Sequence, residues 1–206
     1  MAIWQDLGAI SVAYLLGCIA TAYYMVRLRT GQDIRQLGSG NVGGRNAGRV
    51  LGRFGFMIVA VGDALKGLLA VLFARYLGVG EWTLALVLLA VLAGHIWPAQ
   101  LRFKGGKGAA TFIGALAGYN VLIALLTAGV FVLLFVLLRS FTLAGLLALV
   151  LTPLGMLLLG EPPFNVVAVA VPVLLVLFAH RENLRTKLHG RAGASQPARP
   201  LTRRGE

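Results

Sequence analysis

The chain has 206 residues, of which 58% are hydrophobic and 13% charged, with a mean hydropathy of +0.83. A soluble globular domain carries about a quarter charged residues, so this composition excludes one, and the length excludes two domains; a polytopic membrane protein is left. The formal charge of +12 gathers at 27–53, at 102–107 and after 181, between or behind apolar runs, which is how charge sets membrane topology rather than how it reads nucleic acid.

Ile3 to Val26 is apolar apart from Asp6 and a few small polar residues, and it is long enough to span as one helix. Ala20-Thr21-Ala22 has the form of a signal-peptidase site. Yet Met1 to Asp6 holds no Lys or Arg, and Arg27 and Arg29 follow the run, the reverse of a signal peptide. The run is therefore expected to remain as a helix with its N-terminus outside, and segment 27–53, with six arginines, faces the cytoplasm. Cys18, the single cysteine, lies in this run and excludes a disulfide within the chain.

In the cytoplasmic segment, Gly38-Ser39-Gly40-Asn41-Val42-Gly43 is a literal match to the dinucleotide fingerprint G-x-G-x-x-G. That fingerprint needs a strand before it and a βαβ unit around it, whereas Asp33-Ile34-Arg35-Gln36-Leu37 precedes and a membrane span follows, so the reading is excluded. What remains is physical: glycines, the Ser39 hydroxyl, Asn41, Asn46, Arg45, Arg49 and Arg53 in one short stretch, a donor set able to hold an anion. A flexible polar connector is the competing reading.

Phe56 to Leu77 reads as the next span and carries Asp63 and Lys66, three apart on neighbouring faces of one helix. Ionisable residues within a span point to function, or to an ion pair that neutralises itself; both readings stand for these two. A turn at Gly78–Glu81 is then outside, and Trp82 to Ile96 returns to the cytoplasm. It ends in Gly94-His95-Ile96-Trp97-Pro98, with Trp97 an interfacial anchor, Pro98 a helix stop, and His95 either a ligand or base or a hydrogen-bonded structural residue.

Phe103-Lys104-Gly105-Gly106-Lys107-Gly108-Ala109-Ala110-Thr111 combines more glycine with more charge than any other stretch. Three glycines among two lysines would let backbone N–H groups turn toward one point, and a helix opening near Gly108 would add its N-terminal partial charge; a phosphate suits such a loop. A basic juxtamembrane turn that snorkels its lysines to anionic lipid is the alternative.

The apolar run Ala109 to Leu138 would extend roughly 45 Å as one helix, against a hydrocarbon core of about 30 Å. Charge counting shows how it should break. Segment 27–53 and the tail (Arg181, Arg185, Lys187, Arg191, Arg199, Arg203, Arg204) both belong inside, so an N-terminus outside demands an odd number of crossings. Six apolar runs give an even number, and Gly118-Tyr119-Asn120 is the natural turn at which one run becomes two. Phe141 to Gly160 then leads out, Glu161-Pro162-Pro163 turns, and Phe164 to Ala179 returns, broken by Pro172. His180, Asn183 and Lys187 would share a helix face at this last boundary. Residues 1–190 are thus expected to form one transmembrane domain, and 191–206 a basic, disordered cytoplasmic tail facing lipid headgroups.

These loops, in this order, resemble the bacterial membrane glycerol-3-phosphate acyltransferases that use acyl phosphate as donor, the PlsY family. The likeness spans nearly the whole chain and rests on Ser39-Gly40-Asn41 through Asn46 and Arg49, on Asp63-Ala64-Leu65-Lys66-Gly67, on Gly94 to Pro98, on Phe103 to Thr111 and on His180 to Leu184. It implies an all-α, seven-helix membrane enzyme with its active site on the cytoplasmic face, in agreement with the odd crossing number. The implied reaction is the first acylation of phospholipid synthesis: the glycerol-3-phosphate hydroxyl attacks the acyl phosphate carbonyl, giving lysophosphatidic acid and phosphate. An acyl phosphate is already activated, so no Ser or Cys nucleophile is required, and positioning with charge stabilisation carries the rate.

By the same resemblance Lys104, Gly105, Gly106, Lys107 and Gly108 form the phosphate cradle, and Thr111 is expected to bind substrate phosphate with them. Ser39, Gly40, Asn41, Arg45, Asn46 and Arg49 belong to the anion site, His180 and Asn183 line the glycerol-3-phosphate side, and Thr142 stands where the family has a pocket serine. Ser39, Arg49, Lys107, His180 and Asn183 are the residues expected to carry catalysis. The family usually reads Ser-Gly-Asn-Pro-Gly-Ala-Thr-Asn, whereas here Val42 replaces the proline, Gly44 the alanine and Arg45 the threonine, which loses a rigid turn and a hydroxyl and gains a charge.

Acyl phosphate, glycerol-3-phosphate and membrane lipid are the expected partners; no cofactor, metal, nucleic acid or protein partner is expected. A membrane protein that transports or binds a phosphate anion or a lipid without chemistry is the second hypothesis, disfavoured by the lack of an internal repeat. A CDP-alcohol phosphotransferase would need clustered aspartates for metal, and Asp6, Asp33 and Asp63 are the only ones.

Overall fold

Lipid offers no partner to a backbone amide, so apolar segments of this length close their hydrogen bonds within helices. The computed structural model describes residues 2–182 and 185; Asn183, Lys187 and the basic tail expected over 191–206 lie outside these. Among the described residues there are eight α-helices and no strand: α1 (Ala2–Cys18), α2 (Thr21–Thr30), α3 (Gly44–Tyr76), α4 (Glu81–Ile96), α5 (Ala109–Tyr119), α6 (Val121–Leu138), α7 (Phe141–Leu158) and α8 (Pro163–Ala179). The stretches Ile3–Thr30, Gly44–Tyr76, Glu81–Leu101, Val121–Leu138 and Phe141–Leu158 are long and apolar enough to cross a membrane, while α5 and α8 are apolar but shorter.

The first run is two helices rather than the one expected, and the break has a cause in distant residues. Lys66 Nζ donates to the Ile19 carbonyl at 2.7 Å, and Gln100 Nε2 donates to the Cys18 carbonyl, so side chains take acceptors at the point where α1 stops. Lys66 also pairs with Asp63 at 2.9 Å, and Asp63 Oδ1 accepts from Thr21 Oγ1 at 3.1 Å; the two ions are buried and neutralise each other. Of the two readings for this pair, the ion pair is what the fold contains.

Helix α3 begins twelve residues earlier than the span expected from Phe56. At Gly52 the backbone has φ 74° and ψ −168°, a conformation that glycine alone adopts without strain, so the first eight residues bend sharply off the rest. They fold back until Gly44 and Gly48 lie against Phe56. The long run 109–138 does break at the expected place: Asn120 ends α5 and caps α6, its Oδ1 accepting the Ile123 amide at 3.2 Å. Its amide also donates to Glu161 at 3.0 Å, and Tyr119 donates to Asn165 at 2.9 Å, tying this turn to the start of α8. Pro172 was expected to break the last run but lies inside a continuous α8; it removes one backbone donor, and the flanking apolar face stays packed, with Val169, Val173 and Val176 buried.

Small residues let the helices meet at their backbones, the packing mode of membrane bundles. Helix α1 lies on α4 where Gly17 faces Gly94, and α3 lies on α5 where Gly67 faces Thr111 and Gly114 faces Ala64. Around them Leu92, Phe112, Leu116, Met156 and Val169 form a core between α4, α5, α7 and α8. All the leucines of α6 but Leu134 face outward, as a lipid-covered surface requires.

Candidate active site

One end of the bundle collects the loop before α3, the loop from α4 to α5, the start of α7 and the end of α8. The first loop is built on Arg35 and Asn46. Arg35 pairs with Asp33 through three contacts of 2.6–3.0 Å, which holds the Asp33 carboxyl below its ordinary range, and its Nη1 donates to the Leu101 carbonyl at 2.9 Å, linking the two loops. Asn46 is 1% exposed and has its whole amide engaged: Oδ1 accepts the Ser39 N–H at 2.9 Å, and Nδ2 donates to Ile34 and Leu37 carbonyls at 3.2 and 2.9 Å. Its side-chain amide is thus spent on the shape of the loop. Gly38 and Gly40 take positive φ within that turn, and Ser39 between them is exposed.

The second loop starts as α4 stops. Arg102 and Phe103 both adopt left-handed backbone, which costs non-glycine residues about 1–3 kcal/mol each and persists only where the surroundings enforce it. Here the Phe103 amide donates back to Pro98 at 3.0 Å. The Gly105 and Gly106 amides donate to the Ile96 and His95 carbonyls, both at 3.0 Å, so they cap α4 and do not converge on a common point as the glycine content suggested. Both must be glycine for contact: a Cβ on Gly105 would lie 2.2 Å from the His95 carbonyl oxygen, and one on Gly106 2.2 Å from His95 Nε2. The donors this loop offers an anion are therefore the Lys107 side chain and the first turn of α5, which opens after Gly108 at φ 83°, with the exposed Lys104 at the rim. Thr111 is fully buried, with its hydroxyl 3.2 Å from His95 Nδ1, so it faces the helix core.

Cations meet across this end. Lys107 is half-buried, and burial pushes its ammonium below the usual lysine value, with the charge of Arg45 adding, Glu182 opposing and Arg181 adding. Arg49 passes beside Gly38, and Arg45 donates to the Thr142 hydroxyl, joining the start of α3 to the start of α7. Among the described residues no carboxylate lies within 4.0 Å of Arg45, Arg49 or Lys107. Three neighbouring cations with no carboxylate in direct contact thus gather at the mouth of an apolar bundle, an arrangement that favours an anion.

His180 closes the end of α8. Its Nδ1 lies 2.9 Å from the Val176 carbonyl, which can only accept, so Nδ1 carries the proton and Nε2 keeps a lone pair. Burial pushes the imidazole below its ordinary pKa; the bond to Val176 opposes this, and the charges of Lys107 and Arg45 add to it. The ring is neutral at pH 7 and can accept a hydrogen bond from a hydroxyl. Asn183, expected beside it, lies outside the described residues. A cleft of about 240 Å³ opens among Asn41, Trp97, Phe103, Lys104, Lys107 and Arg181. Arg181 was not singled out from the sequence; its position directly after His180 at a helix end was the available signal. A larger groove of about 440 Å³ between α4 and α8, lined by Trp82, Leu86 and Phe164, is wholly apolar and lies at the other end of these helices, away from the charged residues.

The model of the glycerol-3-phosphate acyltransferase family matches residues 7–190. Glycerol-3-phosphate acyltransferase 1 of Desulfitobacterium hafniense is 44% identical over 184 residues, covering 89% of this chain and 91% of that one. The Bacillus cereus protein of the same name is 41% identical over 82% of this chain and 93% of its own. Among solved structures, PlsY, an integral membrane glycerol 3-phosphate acyltransferase, superposes in its glycerol 3-phosphate form with a TM-score of 0.84 at 35% identity, covering 90% of this chain and 93% of that one. Its lysophosphatidic acid form superposes with a TM-score of 0.81 at 33% identity over the same shares.

Proposed function

The chain belongs to the glycerol-3-phosphate acyltransferase family and is a membrane enzyme of that activity, and on this footing we propose that its donor is an acyl phosphate and that the cation cluster at Arg45, Arg49 and Lys107 is where the phosphates bind. The observation that carries this reading is the meeting of those three cations, with no carboxylate within 4.0 Å among the described residues, beside a neutral His180 whose Nε2 is an acceptor. In the proposed reaction the glycerol-3-phosphate hydroxyl oxygen attacks the acyl carbonyl carbon. An ester C–O bond forms, the C–O bond to phosphate breaks, and the departing phosphate takes the hydroxyl proton.

Each residue then has a physical task. Lys107 and the first turn of α5 hold one phosphate, Arg45 and Arg49 the other, and their summed charge stabilises the negative charge that builds as phosphate leaves. The Nε2 of His180 accepts the substrate hydroxyl and aims its oxygen, with Asn183 on the same side. Asn41 and Lys104 rim the cleft, Ser39 and Thr142 belong to the same anion site, and the acyl chain lies between helices in the bilayer. Seven crossings, counting α1 and α2 as one, put the N-terminus outside and the site on the cytoplasmic face of a bacterial cell membrane, as the arginines of 27–53 favour.

The test is an assay of the purified protein with glycerol-3-phosphate and each of acyl phosphate, acyl-CoA and acyl carrier protein thioester. Acyl transfer with equimolar phosphate release is expected from acyl phosphate alone. Comparable turnover with acyl-CoA would overturn the donor assignment, and phosphate binding without transfer would favour the transport reading.

A further inference from the structure

We propose that His95, with Thr111, is a positioning element for the Lys107 loop, gripping it on both sides without touching substrate; this rests on the reading of that loop as a phosphate site. The main-chain oxygen of His95 accepts the Gly106 amide at 3.0 Å, and its ring lies where a Gly106 side chain would be, 2.2 Å from the position of a Cβ. Its Nδ1 is 3.2 Å from the Thr111 hydroxyl in the first turn of α5. One residue of α4 thus holds the residue just before Lys107 and the residue four after it. Between these grips lie Lys107, Gly108 and the first N–H groups of α5, donors available to an anion.

The imidazole is itself fixed from behind. Its Nδ1 is 3.7 Å from Asp63 Oδ1, which accepts from Thr21 and pairs with Lys66, and Lys66 continues to the Ile19 carbonyl. Neither ion could serve alone in this place. An unpaired Lys66 would compete for the substrate's negative charge, and an unpaired Asp63 would oppose it; paired, they orient the ring without contributing net charge. The network draws on α2, α3, α4 and α5, and among the described residues no buried side-chain polar atom is left without a partner.

The experiment uses the full chain in detergent and compares Thr111→Val, Thr111→Ser, His95→Asn and Lys107→Ala for Tm, kcat and KM toward both substrates. Valine keeps the shape and removes the bond to Nδ1. It should raise KM for at least one phosphate substrate about tenfold with kcat within about twofold, because the donors move relative to the anion while the reacting atoms do not. Tm should hold, and serine should restore the parent KM. Unchanged KM values for Thr111→Val, or parallel losses of Tm and kcat that serine does not repair, would overturn the proposal. Should the valine variant fail to reach the membrane, His95→Asn decides by the same KM criterion. Lys107→Ala separates the two levels. If it is silent the phosphate reading of the loop fails; if it is crippling while Thr111→Val is silent, only the positioning role fails.

Discussion

The side-chain oxygen of Asn46 accepts the backbone amide of Ser39 at 2.9 Å, and the nitrogen of the same amide reaches two carbonyls of the turn before it. One side chain therefore sets the path of residues 34–39. Asn46→Asp keeps the acceptor and replaces the donating nitrogen by one oxygen facing two carbonyls, and a buried polar group left in that state costs about 1–3 kcal/mol. Activity should fall at least tenfold, with residues 34–40 becoming protease-sensitive before the bundle melts. Limited proteolysis beside the assay checks this, and wild-type activity would overturn the shaping role of Asn46.

That role was hidden in the sequence, where Asn46 stands among arginines and glycines and reads as an anion ligand. Local signals served where the cause was local: the turn at Tyr119 and Asn120 followed from charge parity and run length, and the helix opening after Gly108 from glycine next to alanines. They failed where the cause was remote. The stop of α1 depends on Lys66 and Gln100, which are 47 and 82 residues from their acceptors, and nothing near Ile19 announces it. Residues 44–51 are rich in glycine and arginine and read as loop; they are helical because their glycine face packs on Phe56, a tertiary effect. The glycines of 105 and 106 suggested a nest of amides, whereas their smallness serves contact with His95.

Lys107→Ala and Arg49→Ala should each cut activity severely with membrane insertion intact, since a charge aimed at phosphate in a partly dry site outweighs one in water. Lys107 also predicts a pH dependence. Its folded pKa is depressed, so as pH rises it loses its proton before an exposed lysine would, and substrate affinity should fall on an alkaline limb below the usual lysine value. Lys107→Arg should move that limb upward. In the ligand-free enzyme the unfolded chain binds more protons across the same window, so stability attributable to this group should rise with pH there. Kinetics and melting curves across the alkaline range check both signs.

Arg45→Thr restores the residue that the family pattern carries. Thr142 loses its guanidinium partner and the cluster loses one charge. We expect KM for one phosphate substrate to rise several-fold with kcat largely kept, the signature of weakened uniform binding. A shift of preference among phosphate acceptors would instead mark Arg45 as an adaptation to a different substrate. Kinetic identity with the parent on every acceptor would show the departure to be neutral.

Reporter fusions should find the N-terminus outside and residues 30–50, 100–107 and the C-terminal tail inside, because each of these inner segments carries the positive bias. The decisive fusion is at the tail. Activity of an external reporter there would require an even number of crossings and would remove one of the shorter helices, α5 or α8, from the set that spans.

Packing of α3 on α5 supplies the last prediction, because it separates close contact from helix propensity. A Cβ on Gly114 would sit 1.8 Å from the Ala64 carbonyl oxygen, and one on Gly67 2.1 Å from that of Thr111, so the two backbones touch at two points along one seam. Neither neighbour is a flexible side chain that could move aside. Gly129 in α6 has nothing within 4 Å of its Cβ position and lies on the exposed face. Alanine favours a helix over glycine by about 1 kcal/mol at either place, so propensity alone predicts that both substitutions stabilise. Contact predicts opposite signs: overpacking costs about 1–3 kcal/mol or more, and at roughly 2–4 °C per kcal/mol Gly114→Ala should lower Tm by several degrees after the propensity gain is subtracted. Gly129→Ala should leave Tm unchanged or raise it. Because the same seam carries Asp63 on one helix and Thr111 on the other, Gly114→Ala should also raise KM below its melting range; equal Tm for the two alanine variants would mean that α3 and α5 do not meet at this seam.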